Sequence, residues 1–176
     1  MTRSEAEPPG DGGDGEPRLE ARMAGMSRRT GMIELAVELS NPSPDRAVHY
    51  ISDLRAIVFD DATGRFLVRL TDEGRELIPS TAGALPRFAQ VDPASTAVLP
   101  LRIPEEIVRM RVSETPTDEV ELERHELGPD AEIEVVIGWS DTPFYPDTRG
   151  GRRGAASSAV EWEKGQARLV IPGQGG

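Results

Sequence analysis

The run Met32–Ser40, MIELAVELS, alternates apolar and polar residues without a fault, and it restricts the fold more than any other stretch. Ile33, Leu35, Val37 and Leu39 share one parity; Glu34, Ala36, Glu38 and Ser40 share the other. A helix would scatter these residues around its axis. An extended strand, whose side chains alternate between faces, sends all four aliphatics into one core. The run Ala131–Trp139 repeats the pattern, with Ile133, Val135, Ile137 and Trp139 on one face and Glu132 and Glu134 on the other. Both segments therefore read as strands of antiparallel sheets buried on one side.

Between and around these anchors the punctuation fits the same class. Asn41-Pro42-Ser43-Pro44 ends the first strand, because proline has no N–H to give a ladder. A second strand is expected over Val48–Phe59, turning through Asp60-Asp61-Ala62-Thr63-Gly64-Arg65 into Phe66–Leu70, with Gly64 placed for a positive-φ turn position. Residues 71–95 are broken every few positions by Gly74, Pro79, Gly83, Pro86 and Pro93, and Leu77, Ile78, Leu85 and Phe88 are expected under the sheet edges. Thr96–Ile103 reads as a strand whose Pro100, on the outward parity, marks a sheet edge. Ile107–Val112 alternates Val108, Met110 and Val112 against Arg109 and Arg111; 113–119 reads as an acidic turn and Val120–Leu127 as a weak strand. Val160 and Trp162 are expected to open a hairpin that turns at Lys164-Gly165 and returns through Ala167, Leu169 and Ile171.

Those signals add up to about seven to nine strands without a long helix, a census that fits two antiparallel sheets packed face to face. The sandwich is expected to occupy residues 31–172. Residues 1–30 form an acidic, Gly/Pro-rich tail or linker, and 173–176 a loose end. Within the tail, Leu19, Met23 and Met26 have helical spacing, but Gly25 and Gly31 weaken it, leaving a short helix or a linker.

The charge of the chain narrows its partners. The formal net charge is −11, and the acids are spread through the body: residues 31–80 hold nine acids against five bases, and 81–130 hold ten against five. Phosphate backbones and anionic membranes attract Lys and Arg, so neither nucleic acid nor membrane is an expected partner. An acidic surface suffices for solubility, and otherwise it suits a basic partner or a divalent cation. The chain has no cysteine, which removes disulfides, thiolate–zinc sites, Fe–S clusters and thiol nucleophiles. The N-terminal residues lack an apolar signal-peptide core, and no apolar run reaches membrane-spanning length; a cytoplasmic location follows as the simplest expectation.

The catalytic inventory is thin. His49 and His125 are the only histidines, and the chain contains no G-x-S-x-G, S-x-x-K, G-x-x-x-x-G-K-[ST] or H-E-x-x-H motif. The letters of Gly10–Gly15 match G-x-G-x-x-G but follow no strand, so no dinucleotide site is read there. Asp60-Asp61, and Asp141 with Asp147, are carboxylates that loops of a sandwich could offer to calcium, yet Asp is also the ordinary turn-former. No catalytic residue, metal or cofactor is assigned. The sharpest binding candidate is the turn after the second anchor strand, where Trp139, Asp141, Phe144, Tyr145 and Asp147 concentrate aromatic and acidic groups between Pro143 and Pro146. Rings held there would bind at low entropy cost, or would instead cap the core. Arg149–Gly154 looks like an RGG segment in single copy and reads as a solvated loop.

The segment VELSNPSPDRAVHYISDLRAIVFD resembles the strand, Asn-Pro, strand opening of the water-stress β-sandwich domain of late-embryogenesis proteins, and of bacterial immunoglobulin-like modules. PASTAVLPLRIP is similar to the lead into a central strand of such modules. The resemblance implies an Ig-like sandwich and no catalytic residues. The expected function is thus a non-enzymatic interaction or accessory module that binds a protein partner or another copy of itself. A calcium- or carbohydrate-binding module using the 139–147 turn is the alternative, followed by a small hydrolase using His49 or His125.

Overall fold

The computed structural model describes residues 16–72, 86–112, 120–144 and 159–173. Over these the chain is all-β, with eleven strands and a single four-residue helical turn. The three-stranded sheet consists of β1 (Glu20–Arg29), β2 (Met32–Asn41) and β7 (Ser95–Pro104), in that order. β2 lies in the middle, and its four aliphatics are fully buried or nearly so, as the alternation requires. β7 pairs with β2 alone, so Pro100 sits on an edge strand where its missing N–H leaves no ladder bond unmade.

A six-stranded sheet holds β3 (Val48–Ile51), β4 (Ala56–Asp60), β5 (Arg65–Leu70), β6 (Phe88–Val91), β10 (Ile133–Ser140) and β11 (Gly165–Ile171). β4 and β5 form the expected hairpin, with Gly64 at φ 69° in its turn. β10 is the centre of this sheet. Ile133–Ile137 pair with β5 and β11 at once, and Trp139 pairs with both β3 and β11. All eight residues of β10 are buried. The expected polar outer face, with Glu134 in solvent, is therefore corrected: Glu134 is buried and held by Arg168, and Val136 fills the same face. The fully antiparallel arrangement is corrected too, because β5 and β10 run parallel. A parallel pair needs a long connection between its strands, and these two are more than sixty residues apart in the chain.

Three further elements differ from expectation. The segment read as helix or linker is β1, paired with β2 along its whole length, so a strand occupies 20–29 of the expected tail. Helical spacing misled here because a register shift between Met23 and Gly25 changes the parity: Ala21 and Met26 both pack on the core, while Met23 is exposed. The single strand expected over Val48–Phe59 is two, β3 and β4, lying on opposite sides of β10 in the sheet order. Residues 159–162 form the helical turn α1 (Ala159–Trp162), and β11 pairs with β10 instead of forming a hairpin with Trp162. Leu77, Ile78, Leu85, the acidic turn 113–119 and the loop 149–154 lie outside the described residues.

The two sheets share one hydrophobic core. Ile33, Leu35, Val37, Leu99, Leu101 and Ile103 come from the first; Val48, Phe66, Val68, Ile133, Val135 and Ile137 come from the second. Burying each such side chain is worth about 1.5–3 kcal/mol, so this shared layer dominates the stability. Apart from both sheets stands a two-stranded ribbon, β8 (Glu106–Val112) and β9 (Val120–Glu126), whose strands pair only with each other among the described residues. No helix among the described residues is long and apolar enough to cross a membrane.

Candidate functional site

The turn after β10 folds onto the end of the six-stranded sheet. Trp139 belongs to the core at 9% exposure. A Cβ on Gly165 would lie 3.0 Å from its indole, which is why the residue opposite Trp139 is glycine. Phe144 stacks on Phe88 with ring centroids 4.6 Å apart, and Trp162 meets Phe88 edge-on at 4.8 Å, both favoured aromatic geometries. The Trp162 indole N–H donates to the Thr142 carbonyl at 2.7 Å and pins the turn to α1. Two of the aromatics in the turn thus cap the core. Tyr145 and Asp147 lie outside the described residues.

Asp141 is spoken for by cations of this same chain. The only lysine, Lys164, donates to its carboxylate at 2.8 Å, and Arg46 approaches to 3.8 Å. The hydrogen bond from Lys164 holds the Asp141 carboxyl below its ordinary value. His49 lies beside this group, as the cross-strand partner of Ser140 on β10. Partial burial lowers the His49 pKa, and the nearby Asp141 charge offsets part of that. Ser140 is buried and its hydroxyl bonds Thr142. Among the described residues the His49 imidazole makes no hydrogen bond to the Ser140 hydroxyl or the Asp141 carboxylate, so the geometry of a nucleophile activated by a base is not formed there.

Asp60 behaves as a turn-former. It accepts the Ala62 N–H at 3.0 Å and the Thr63 hydroxyl at 2.7 Å, and these bonds lower its pKa. Asp61 instead reaches across to Arg109 of β8 at 2.9 Å. His125, expected in an exposed run, is largely buried: its ring stacks on Phe59 at 4.2 Å, and its Nε2 sits 3.5 Å from the Glu123 carboxylate. Among the described residues no group of three or more His, Asp or Glu is placed to hold a metal ion.

The contacts of His125 and Arg109 fix the orientation of the ribbon. Ile107, Arg109, Glu123 and His125 share the face laid against the β4–β5 hairpin. The other parity faces outward, and there Val108 is 49% and Leu122 58% exposed, in diagonal positions across the two strands. Glu106 and Glu126 are direct cross-strand neighbours at the root of that face, and both are exposed. Below them opens a cleft of about 560 Å³ lined by Arg28, Pro104, Glu105, Glu106, Glu126 and Leu127. Arg28, in its lining, donates to the Leu127 and Gly128 carbonyls at 2.6 and 2.9 Å. The alternation of Val108, Met110 and Val112 against arginines is plain in the sequence, but it does not tell which parity is covered. Here a stacked histidine and an Arg–Asp pair hold the charged side inward.

Compared with protein families, curated proteins and solved structures, the chain matches none at a significant level.

Proposed function

We propose that the chain is a non-enzymatic interaction module, an Ig-like β-sandwich that presents the β8–β9 ribbon to a protein partner. The observation that carries this reading is the outward apolar face of the ribbon, with Val108 and Leu122 about half exposed. A lone two-stranded ribbon is marginal in water and gains from any surface that covers it. Solvent-exposed aliphatics on such an element mark a contact surface more often than scattered single ones do. The common core between the two sheets supports the sandwich, and the inward use of Trp139, Phe144 and Asp141 leaves the ribbon as the better-presented surface.

A photo-reactive amino acid placed at Leu122 of the full chain, in the cells that make it, tests the reading. The expected result is a discrete cross-linked adduct with another protein that is absent when the probe replaces Val98, an equally exposed valine on β7. Equal adducts from both positions, or none from Leu122, overturn it.

A further inference from the structure

The six-stranded sheet leaves one edge unguarded. β4 stands at its end and pairs only with β5 among the described residues. The strand reads Ala56-Ile57-Val58-Phe59 before Asp60, uncharged and apolar on both parities, which suits a strand with neighbours on each side. All five residues of β4 are instead half-buried. Ile57 and Phe59 pack against the shared core, and Val58 has the opposite parity. The ribbon lies on the core side of the hairpin, through His125 on Phe59, and forms no ladder with β4.

The other edges among the described strands carry features that deter strand addition. β7 has Pro100, β1 has the register shift between Met23 and Gly25, and β11 lies beside β1. β6 is four residues long, and its Val91 carbonyl is taken by Asn41. The ribbon strands place Arg109 and Arg111, and Glu121 and Glu123, at alternate positions. β4 has neither a proline, nor a bulge, nor a charge before Asp60.

We propose that β4 is a homodimer seam, on which the β4 of a second copy adds antiparallel about a two-fold axis at Val58 and joins two six-stranded sheets into one. The order of residues sets the register. With the axis at Val58, Ile57 faces Phe59 of the second copy, Val58 faces its own counterpart, and Ala56 faces Asp60 of the second copy. The next pair sets Arg55 against Asp61 of the second copy, opposite in sign. An axis at Phe59 would set Asp60 against Val58 and Asp61 against Ile57, and an axis at Ile57 would set Arg55 against Phe59. Of these three registers only the one at Val58 keeps charge away from all three large apolar residues, and it forms the aromatic–β-branched pairs that stabilise sheets. A second copy supplies this self-complementary pattern by symmetry. The net charge of −11 on each copy opposes their approach, so salt should strengthen the seam. The seam does not involve the outward face of the ribbon.

The test uses the full chain. Sedimentation is expected to show a dimer that grows with protein concentration and with salt. V58K and V58E each set like charges face to face on the axis and are each expected to weaken the dimer at least about tenfold. An equimolar mixture of the two is expected to restore a heterodimer. V58C, in a chain without other cysteines, is expected to form an intermolecular disulfide on mild oxidation, and V98C, at an exposed valine on β7, is not. The cysteine replaces valine with little change of size, so its cross-link decides the matter where a charged variant fails to fold. A parent that stays monomeric overturns the proposal, as does a V98C cross-link equal to that of V58C. So does a mixture of folded V58K and V58E that fails to associate. A dimer that V58K leaves intact and L122E abolishes assigns self-association to the ribbon and also overturns the seam.

Discussion

Asn41 ends the most regular strand of the chain, and its side chain joins that strand to the opposite sheet. Its Nδ2 lies within bonding distance of the Arg46, Val91 and Asp92 carbonyls, at 2.7, 3.1 and 3.2 Å, while its Oδ1 accepts the Ser43 N–H at 3.0 Å. The residue is buried, and its bond to the Val91 carbonyl is buried with it, so that acceptor has no water to replace the amide. Asn41→Ala is expected to cost about 1–3 kcal/mol in urea unfolding, the penalty of leaving buried acceptors unpaired. Asn41→Asp should cost more, since it sets a carboxylate against the same carbonyls. Arg55 makes a second buried node: it is 6% exposed and bonds Asp72, itself 12% exposed, at 2.9 Å and Asp53 at 3.1 Å. Arg55→Met strands a buried carboxylate and is expected to cost about 3–5 kcal/mol. The titrating groups predict a pH profile. Asp141 is held below its ordinary 3.8, chiefly by Lys164, so its contribution is present above that value and is lost as pH falls through the lowered one. His49 is lowered from 6.5 by burial, so the unfolded chain takes its proton first and stability declines as pH drops below that value. Unfolding free energies measured across pH should decline in both windows, with Asp141→Asn flattening the acid limb and His49→Gln the one near neutrality.

Among the elements, legibility depended on how many faces a strand buries. β2 and β7 bury one face each, and their period-two pattern located them within about a residue. β10 is legible as a strand, but its setting is not. Glu132 and Glu134 looked like solvent markers, whereas Arg65 and Arg168 bring compensating charge to a strand covered by neighbours on both sides. β1 escaped because one extra residue at Ala24 breaks its alternation, and a bulge in a short pattern is indistinguishable from helical spacing. α1 escaped for the opposite reason, since four residues carry too little period to read. Thr30-Gly31, joining β1 to β2, has the positive φ of 77° at glycine that the tight connection requires. The dependence of β2 on β1 is open to measurement. Deleting residues 1–29 uncovers one whole edge of β2 and part of the core around Ala21 and Met26, and it is expected to abolish cooperative unfolding rather than shift it by a few degrees. The candidate site was legible only by composition. Aromatic density marks 139–147, but density does not report whether rings point in or out, and Phe88 and Trp162, which decide that for Phe144, lie outside that stretch of the chain.

For the molecule as a whole, stability resides in the two-sheet core, and the ribbon contact surface proposed above belongs to a different part. Aliphatic burial between the two sheets sets the fold, and the ribbon hangs outside them by Phe59–His125 stacking and the Asp61–Arg109 pair. An arrangement of that kind allows the outward face to change without loss of the core. Substitution at Val108 or Leu122 should therefore stay within about ±0.5 kcal/mol, as surface changes do, while Ile137→Ala, at a fully buried position on β10, should cost about 2–5 kcal/mol. The most direct test of this division is a paired measurement on V108S/L122S: its thermal melting, and its cross-link yield from a photo-reactive probe at Arg124, an exposed position on the outward face of β9. The account predicts an unchanged melting temperature with the cross-link lost. A melting temperature that falls as far as that of Ile137→Ala, or a cross-link yield equal to the parent's, would contradict it.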